Sequence, residues 1–228
     1  MSVNVLGNLA GNLAGNLAGR VSGVRMLAGA CLAMLMLAAC SAAPVRSPDT
    51  HYELDVTMAP VSFGAEAAIA LRRVDIRGLQ SGRSLVIVTG TDPVRFQEQR
   101  GHFWHVATPS LIERAFLTTM NEASTDAAFG TSDSFDKIDY RLVLTVSRFA
   151  YVPGGEAMVD FDATVNAADG DVLLARSYWG RAPLAGAAPA DGVNALGVAF
   201  GEAMTVFAGE LAGELAGELA AAPPAGQD

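Results

Sequence analysis

The chain of 228 residues carries 24 Asp and Glu against 15 Lys and Arg, a formal net charge of −9, and much of its 51% apolar content is alanine in biased stretches. A chain of this length holds about one domain. The acidic balance argues against nucleic-acid binding, which needs a basic surface to displace counterions from phosphates. Both cysteines, Cys31 and Cys40, fall early, so the body after residue 40 has no disulfide, no cysteine nucleophile and no thiolate metal site.

Near the N-terminus Gly-Asn-Leu-Ala recurs three times from Gly7 to Ala18, a repeat without an evident role. Met26 to Ala39 is an uncharged apolar stretch of 14 residues preceded by Arg20 and Arg25. A bilayer span needs about 20 such residues, so this one has the length of a signal-peptide hydrophobic region with its positive flank. It closes on Leu37-Ala38-Ala39-Cys40. That tetrapeptide resembles the lipobox of bacterial lipoproteins, which implies diacylglyceryl attachment to the Cys40 thiol followed by cleavage. Acyl chains hold a protein firmly, each buried methylene contributing about 0.8 kcal/mol. Ser41 in place of Asp after the cysteine favours the outer membrane, by resemblance to enterobacterial sorting. The expected organisation is a signal peptide over 1–39, a linker over 40–50, one domain over 51–208 and a low-complexity tail over 209–228.

His51 to Thr57 alternates, with Tyr52, Leu54 and Val56 opposite Glu53 and Asp55, and predicts a half-buried strand. Ala70 to Ile76 and Leu85 to Thr89 are further strands across a Gly78–Gly82 turn. Thr108-Pro109 predicts a helix start, Thr as N-cap and Pro in the first turn, with an apolar stripe from Leu111 to Met120. Residues 124–137 read as a polar loop. Three alternating strands follow, beginning near Tyr140, Val159 and Val172, with a hairpin turn at Ala168–Asp171. Val193, Leu196, Phe200, Ala203 and Phe207 mark a second amphipathic helix. It runs into three copies of Gly-Glu-Leu-Ala from Gly209 to Ala220, which read either as a helix with a glycine row or as a frayed expansion. The fold class expected is α+β: an antiparallel sheet of about five to six strands with two helices packed on one face.

Little in the chain speaks for catalysis. His102 and His105 have His-x-x-His spacing but no third ligand at a recognisable distance, so no metal is expected. Asp160 with Asp162, and Asp169 with Asp171, are paired carboxylates whose simplest reading is a solvated strand face and a turn. There is no Gly-x-Ser-x-Gly, phosphate loop or dinucleotide fingerprint, hence no enzyme and no cofactor is expected.

Tyr52-Glu-Leu54, the run Leu85-Val-Ile-Val-Thr-Gly-Thr-Asp-Pro-Val-Arg95, then Trp104, the Pro109-started helix and Tyr178-Trp179 come in a recognisable order. With the lipobox, this set resembles the ABC-type transport auxiliary lipoproteins, the group that includes paraquat-inducible protein C. The resemblance spans roughly residues 51–208 and departs from the family behind Trp104, where His105-Val106-Ala107 stands. It implies a non-catalytic lipoprotein at the outer membrane, facing the periplasm, that docks the periplasmic MCE-domain protein of an ABC transporter moving phospholipid between membranes. A ring of copies around a tubular partner is geometrically sensible. By position Trp104 and Arg95 match the family's most recognisable residues. They read either as partner contacts or as a packed ring and a locally paired guanidinium. Rival readings are a lipoprotein that carries lipid in its own groove, an enzyme built on the histidines, and a stabiliser of an unrelated envelope complex.

Overall fold

The computed structural model describes residues 48–221 apart from 65, 77 and 91, so the signal segment, Cys40 and most of the linker lie outside the described residues. Eight strands form one sheet: β1 Thr50–Tyr52, β2 Ala67–Ile76, β3 Ser84–Thr89, β4 Arg95–Trp104, β5 Ala127–Thr131, β6 Tyr140–Tyr151, β7 Glu156–Ala167 and β8 Val172–Pro183. Two helices join them, α1 Thr108–Ala123 and α2 Pro189–Ala221.

The sheet is mixed rather than antiparallel. β1 runs parallel to β4, β2 to β5, and both β2 and β3 to β6, whereas β3–β4, β6–β7 and β7–β8 are antiparallel. Alternation of apolar residues reports which face is buried and is silent on strand direction. Direction comes from the connections, and α1 is the crossover that returns the chain to lay β5 parallel to β2. Two strands escaped the sequence pattern. β4 (RFQEQRGHFW) is exposed or half-buried everywhere but at Trp104, so it carries no apolar alternation. β5 (AAFGT), inside the expected polar loop, is short and built of small residues that favour strands weakly.

β2 and β3 lie end to end along the same edge of β6, separated by a single 3-10 turn at Gly78–Ser81. The detour would strand a backbone donor of β6 in the interior. The buried Gln80 side chain fills that place, its carbonyl oxygen accepting from the Phe149 N–H. A lost partner there would cost about 1–3 kcal/mol.

Both helices contribute to one continuous core with the sheet. Leu142, Leu144, Val146, Val159, Phe161, Ala163 and Val165 are each at most 2% exposed. Phe161, Tyr178, Phe200 and Phe207 interlock above them, with ring centroids 5.4–6.4 Å apart. Phe116 of α1 meets Phe207 of α2 at 5.9 Å, joining the two helices. By length and mean hydropathy (1.3) Pro189–Glu218 would suit a bilayer, but 61% of its most apolar window is buried in the fold, so it serves as a core helix.

Of the expected first strand, His51 to Thr57, only His51 and Tyr52 enter a ladder. The following segment crosses the helix layer as a strap, with Val56 buried and its carbonyl accepting from Thr119 Oγ1 at 3.3 Å. Glycines make that crossing feasible. A Cβ on Gly197 would fall on the Asp55 carbonyl oxygen, and one on Gly201 would lie 2.5 Å from that of Thr57. On the sheet side, a Cβ on Gly180 of β8 would strike the Ala199 carbonyl oxygen. Thr108 is not the expected side-chain cap of α1. Its hydroxyl donates to the Gly82 carbonyl at 2.7 Å and so pins the helix start to the β3 entrance instead.

The Gly-Glu-Leu-Ala repeat continues α2 to Ala221. Its four-residue period sorts the residues by face. Leu211 and Leu215 are buried, and Glu210 accepts from Tyr178 Oη at 2.8 Å and lies 3.3 Å from Arg176. Glu214 reaches Arg176 at 3.7 Å and Glu218 accepts from Tyr140 Oη at 2.8 Å. Gly209, Gly213 and Gly217 face open space.

Two expectations follow. Gly197→Ala destabilises the domain in urea titrations by several kcal/mol or prevents folding, whereas Gly213→Ala stabilises it by about 0.8–1 kcal/mol, the helix-propensity difference. Stability also falls at alkaline pH. Burial first, then the Glu218 carboxylate, pushes Tyr140 up to about 12; burial, then Tyr52, does the same to Tyr151; burial and Glu210 raise Tyr178. Since unfolded tyrosine ionises near 10, this contribution is intact below about pH 10 and is lost as pH rises toward 12. Tyr178→Phe makes the decline shallower in denaturation followed from pH 9 to 12.

Candidate functional site

The two residues singled out by the sequence occupy opposite ends of β4. Trp104 closes the strand and is 2% exposed, its ring 5.7 Å from Phe149. Its backbone N–H donates to the Arg83 carbonyl at 2.6 Å, while the Arg83 guanidinium donates to the carbonyls of Trp104 at 3.3 Å and His105 at 2.9 Å. Beside it, β1 runs parallel with Tyr52 opposite Trp104, so the chain arriving from the linker docks against this corner. Trp104 thus lies beneath the surface where β1, β4 and the Arg83 turn meet.

Arg95 begins β4, exposed and flanked by Val94 (56% exposed) and Phe96 (37%). Among the described residues no ion pair includes it. Nine steps along a strand separate two residues by up to about 30 Å, so Arg95 and Trp104 do not form one contact patch. β4 also bends between them. Residues 99–102 lie opposite Leu85 alone, and Gly101 takes φ +75°, a left-handed conformation that other residues adopt at a cost.

The histidines do not converge. His102 Nδ1 pairs with Tyr52 Oη at 3.0 Å. His105 Nε2 takes a hydrogen bond of 2.9 Å from Arg114, which can only donate, so that nitrogen is an acceptor. Glu53 stands 3.7 Å from the same nitrogen. Among the described residues no three His, Cys, Asp or Glu side chains stand where they could share a metal ion.

The aspartates of β7 have local partners. Asp160 lies 2.5 Å from Arg181 and 3.4 Å from Arg148, and Asp162 accepts from Ser177 Oγ at 2.5 Å. Next to them Trp179, 66% exposed, stands on the open face of the sheet. In the sequence it stands within the Tyr178-Trp179 pair of the family resemblance. Its place in the alternation, two residues from Ser177, was the signal that it faces outward.

The architecture is that of an α+β domain in which β4 runs from an exposed hairpin tip to a buried Trp104. The sequence pattern of ABC-type transport auxiliary lipoprotein components matches residues 52–206. The chain belongs to that family, and as a lipoprotein component it is a protein of the cell envelope associated with an ABC-type transport system. Two solved structures share the fold. One is a Xanthomonas campestris protein of family DUF330, 18% identical, with a TM-score of 0.55 over 75% of this chain and 98% of its own. The other, described only as an uncharacterized protein, is 13% identical, with a TM-score of 0.55 over 75% of this chain and 97% of its own. No curated protein matches the chain.

Trp104→Ala is expected to cost about 3–5 kcal/mol in chemical denaturation, the usual loss for a buried aromatic. Arg95→Ala, at an exposed position, stays within about 0.5 kcal/mol of the parent.

Proposed function

We propose that the protein is the non-catalytic docking component of an MCE-type ABC transporter that moves phospholipid or related lipid across the periplasm. Acyl chains on Cys40 hold it at the outer membrane, and the folded domain receives the end of the periplasmic MCE-domain assembly. Family membership is the observation that carries this reading. A second supports binding over carriage: the space between sheet and helices is occupied by the interlocked rings of Phe116, Phe161, Phe200 and Phe207. A lipid carrier would need that space for an acyl chain.

The contact surface in this reading is the Val94–Arg95–Phe96 tip, where apolar area and a cation stand together, a combination common in interface centres. Trp104 acts on it indirectly, by holding the other end of β4.

The test is capture of the transporter's MCE-domain protein from solubilised envelopes. The parent protein retains it, and Arg95→Glu with Val94→Asp weakens retention about tenfold or more, as loss of a contact contributing over about 1.4 kcal/mol requires. Cys40→Ser abolishes acyl labelling and membrane retention while the domain stays folded. Absence of capture by the parent overturns the docking role, and undiminished capture by the double variant overturns the assigned surface.

A further inference from the structure

An acidic chain needs a special arrangement to hold an anion, and one corner of the open sheet face has it. The parallel ladder of β2 and β6 slips at one residue: Leu71 lies opposite Leu142 and Arg73 opposite Val143, leaving Arg72 without a partner residue. A bulge of this kind turns two successive side chains toward one face. Both arginines are exposed while Leu71 and Val74 on either side are buried. Arg73 is neutralised by Asp75 at 2.8 Å. Arg72 has no ion pair among the described residues.

Arg72 lines a cavity of about 670 Å³ together with Arg141 of β6, Asn166 of β7, Ser132 of the 3-10 turn after β5, Ile138 and Gly170. Arg141 donates one nitrogen to the Ala168 carbonyl at 3.0 Å, which fixes the guanidinium and leaves its other donors free of carboxylates. No acidic side chain lines the space; Asp133, Asp169 and Asp171 belong to the flanking turns. Two arginines, an asparagine and a serine from four separate elements therefore border one open pocket.

We infer that this cavity is a binding site for a phosphate-bearing group. Guanidinium forks match phosphate oxygens and bind them by charge-assisted hydrogen bonds. Several donors bordering one space suit the multiple oxygens of a phosphate group. A phosphodiester headgroup and a small free phosphate share this chemistry, and the volume admits either. The site lies away from the Val94–Phe96 tip and stands independently of the docking role.

The experiment uses the full lipoprotein in neutral detergent, titrated calorimetrically with inorganic phosphate, sn-glycerol 3-phosphate and acetate. A second arm uses mixed micelles containing phosphatidylglycerol or, as a phosphate-free control, diacylglycerol. The phosphate compounds bind and acetate does not. Arg72→Gln and Arg141→Gln each weaken binding about tenfold or more, the loss of a charged hydrogen bond, whereas Arg73→Gln leaves it unchanged. Binding of phosphatidylglycerol micelles alone, with the same dependence on Arg72, assigns a headgroup. Binding of the small phosphates assigns a free anion. Failure of every phosphate probe, equal binding of acetate, or full affinity in Arg72→Gln with an unchanged melting midpoint overturns the inference.

Discussion

The steric constraint on which this domain rests is the depth at which α2 lies. The helix backbone touches β8 at Gly180 and passes under the strap at Gly197 and Gly201, positions where a single added carbon would collide with a carbonyl oxygen. That depth brings Phe200 and Phe207 among Phe161 and Tyr178. It also lets the strap cover the helix layer, with Val56 reaching Thr119 of α1. Filling the interlayer space with rings at contact distance gives the core its cohesion and leaves recognition to the surface.

The two ends of β4 differ in burial. At one end of β4, β1 pairs alongside Trp104, Arg83 holds the Trp104 and His105 carbonyls, and the Thr108–Gly82 bond pins the start of α1. At the other end an exposed hairpin tip presents Val94, Arg95 and Phe96.

The C-terminal repeat shows how a biased sequence becomes structure. Four-residue periodicity on a 3.6-residue helix keeps each residue type near one face for a few turns. Leu211 and Leu215 then extend the core, Glu210, Glu214 and Glu218 meet Tyr178, Arg176 and Tyr140, and the glycines are left outward. Composition alone favours a frayed low-complexity expansion over a helix. The tyrosine and arginine partners that select the helix lie some 30 to 80 residues away in the chain.

Much of the architecture was legible in the residues themselves. The alternation in β6, β7 and β8 and the stripes of α1 and α2 are local patterns, and each marks its element because burial on one side selects apolar residues at a fixed period. The ordered motifs from Tyr52 to Trp179 likewise disclosed the family, whose pattern covers residues 52–206. Strand direction, the exposed β4 and the small-residue β5 were not legible, because the pairings that define them are made with distant strands and leave no periodic trace. The same holds for the candidate sites. Trp104 and Arg95 stood out through the family resemblance, but only the fold set one in the core and the other at an exposed tip, a strand's length apart. The Arg72–Arg141 cavity was invisible in sequence for a like reason: it arises from a one-residue slip between two strands separated by some 70 residues. Local periodicity determined which segments fold and which faces they bury; tertiary packing decided which side chains meet, since meeting depends on register and crossing depth.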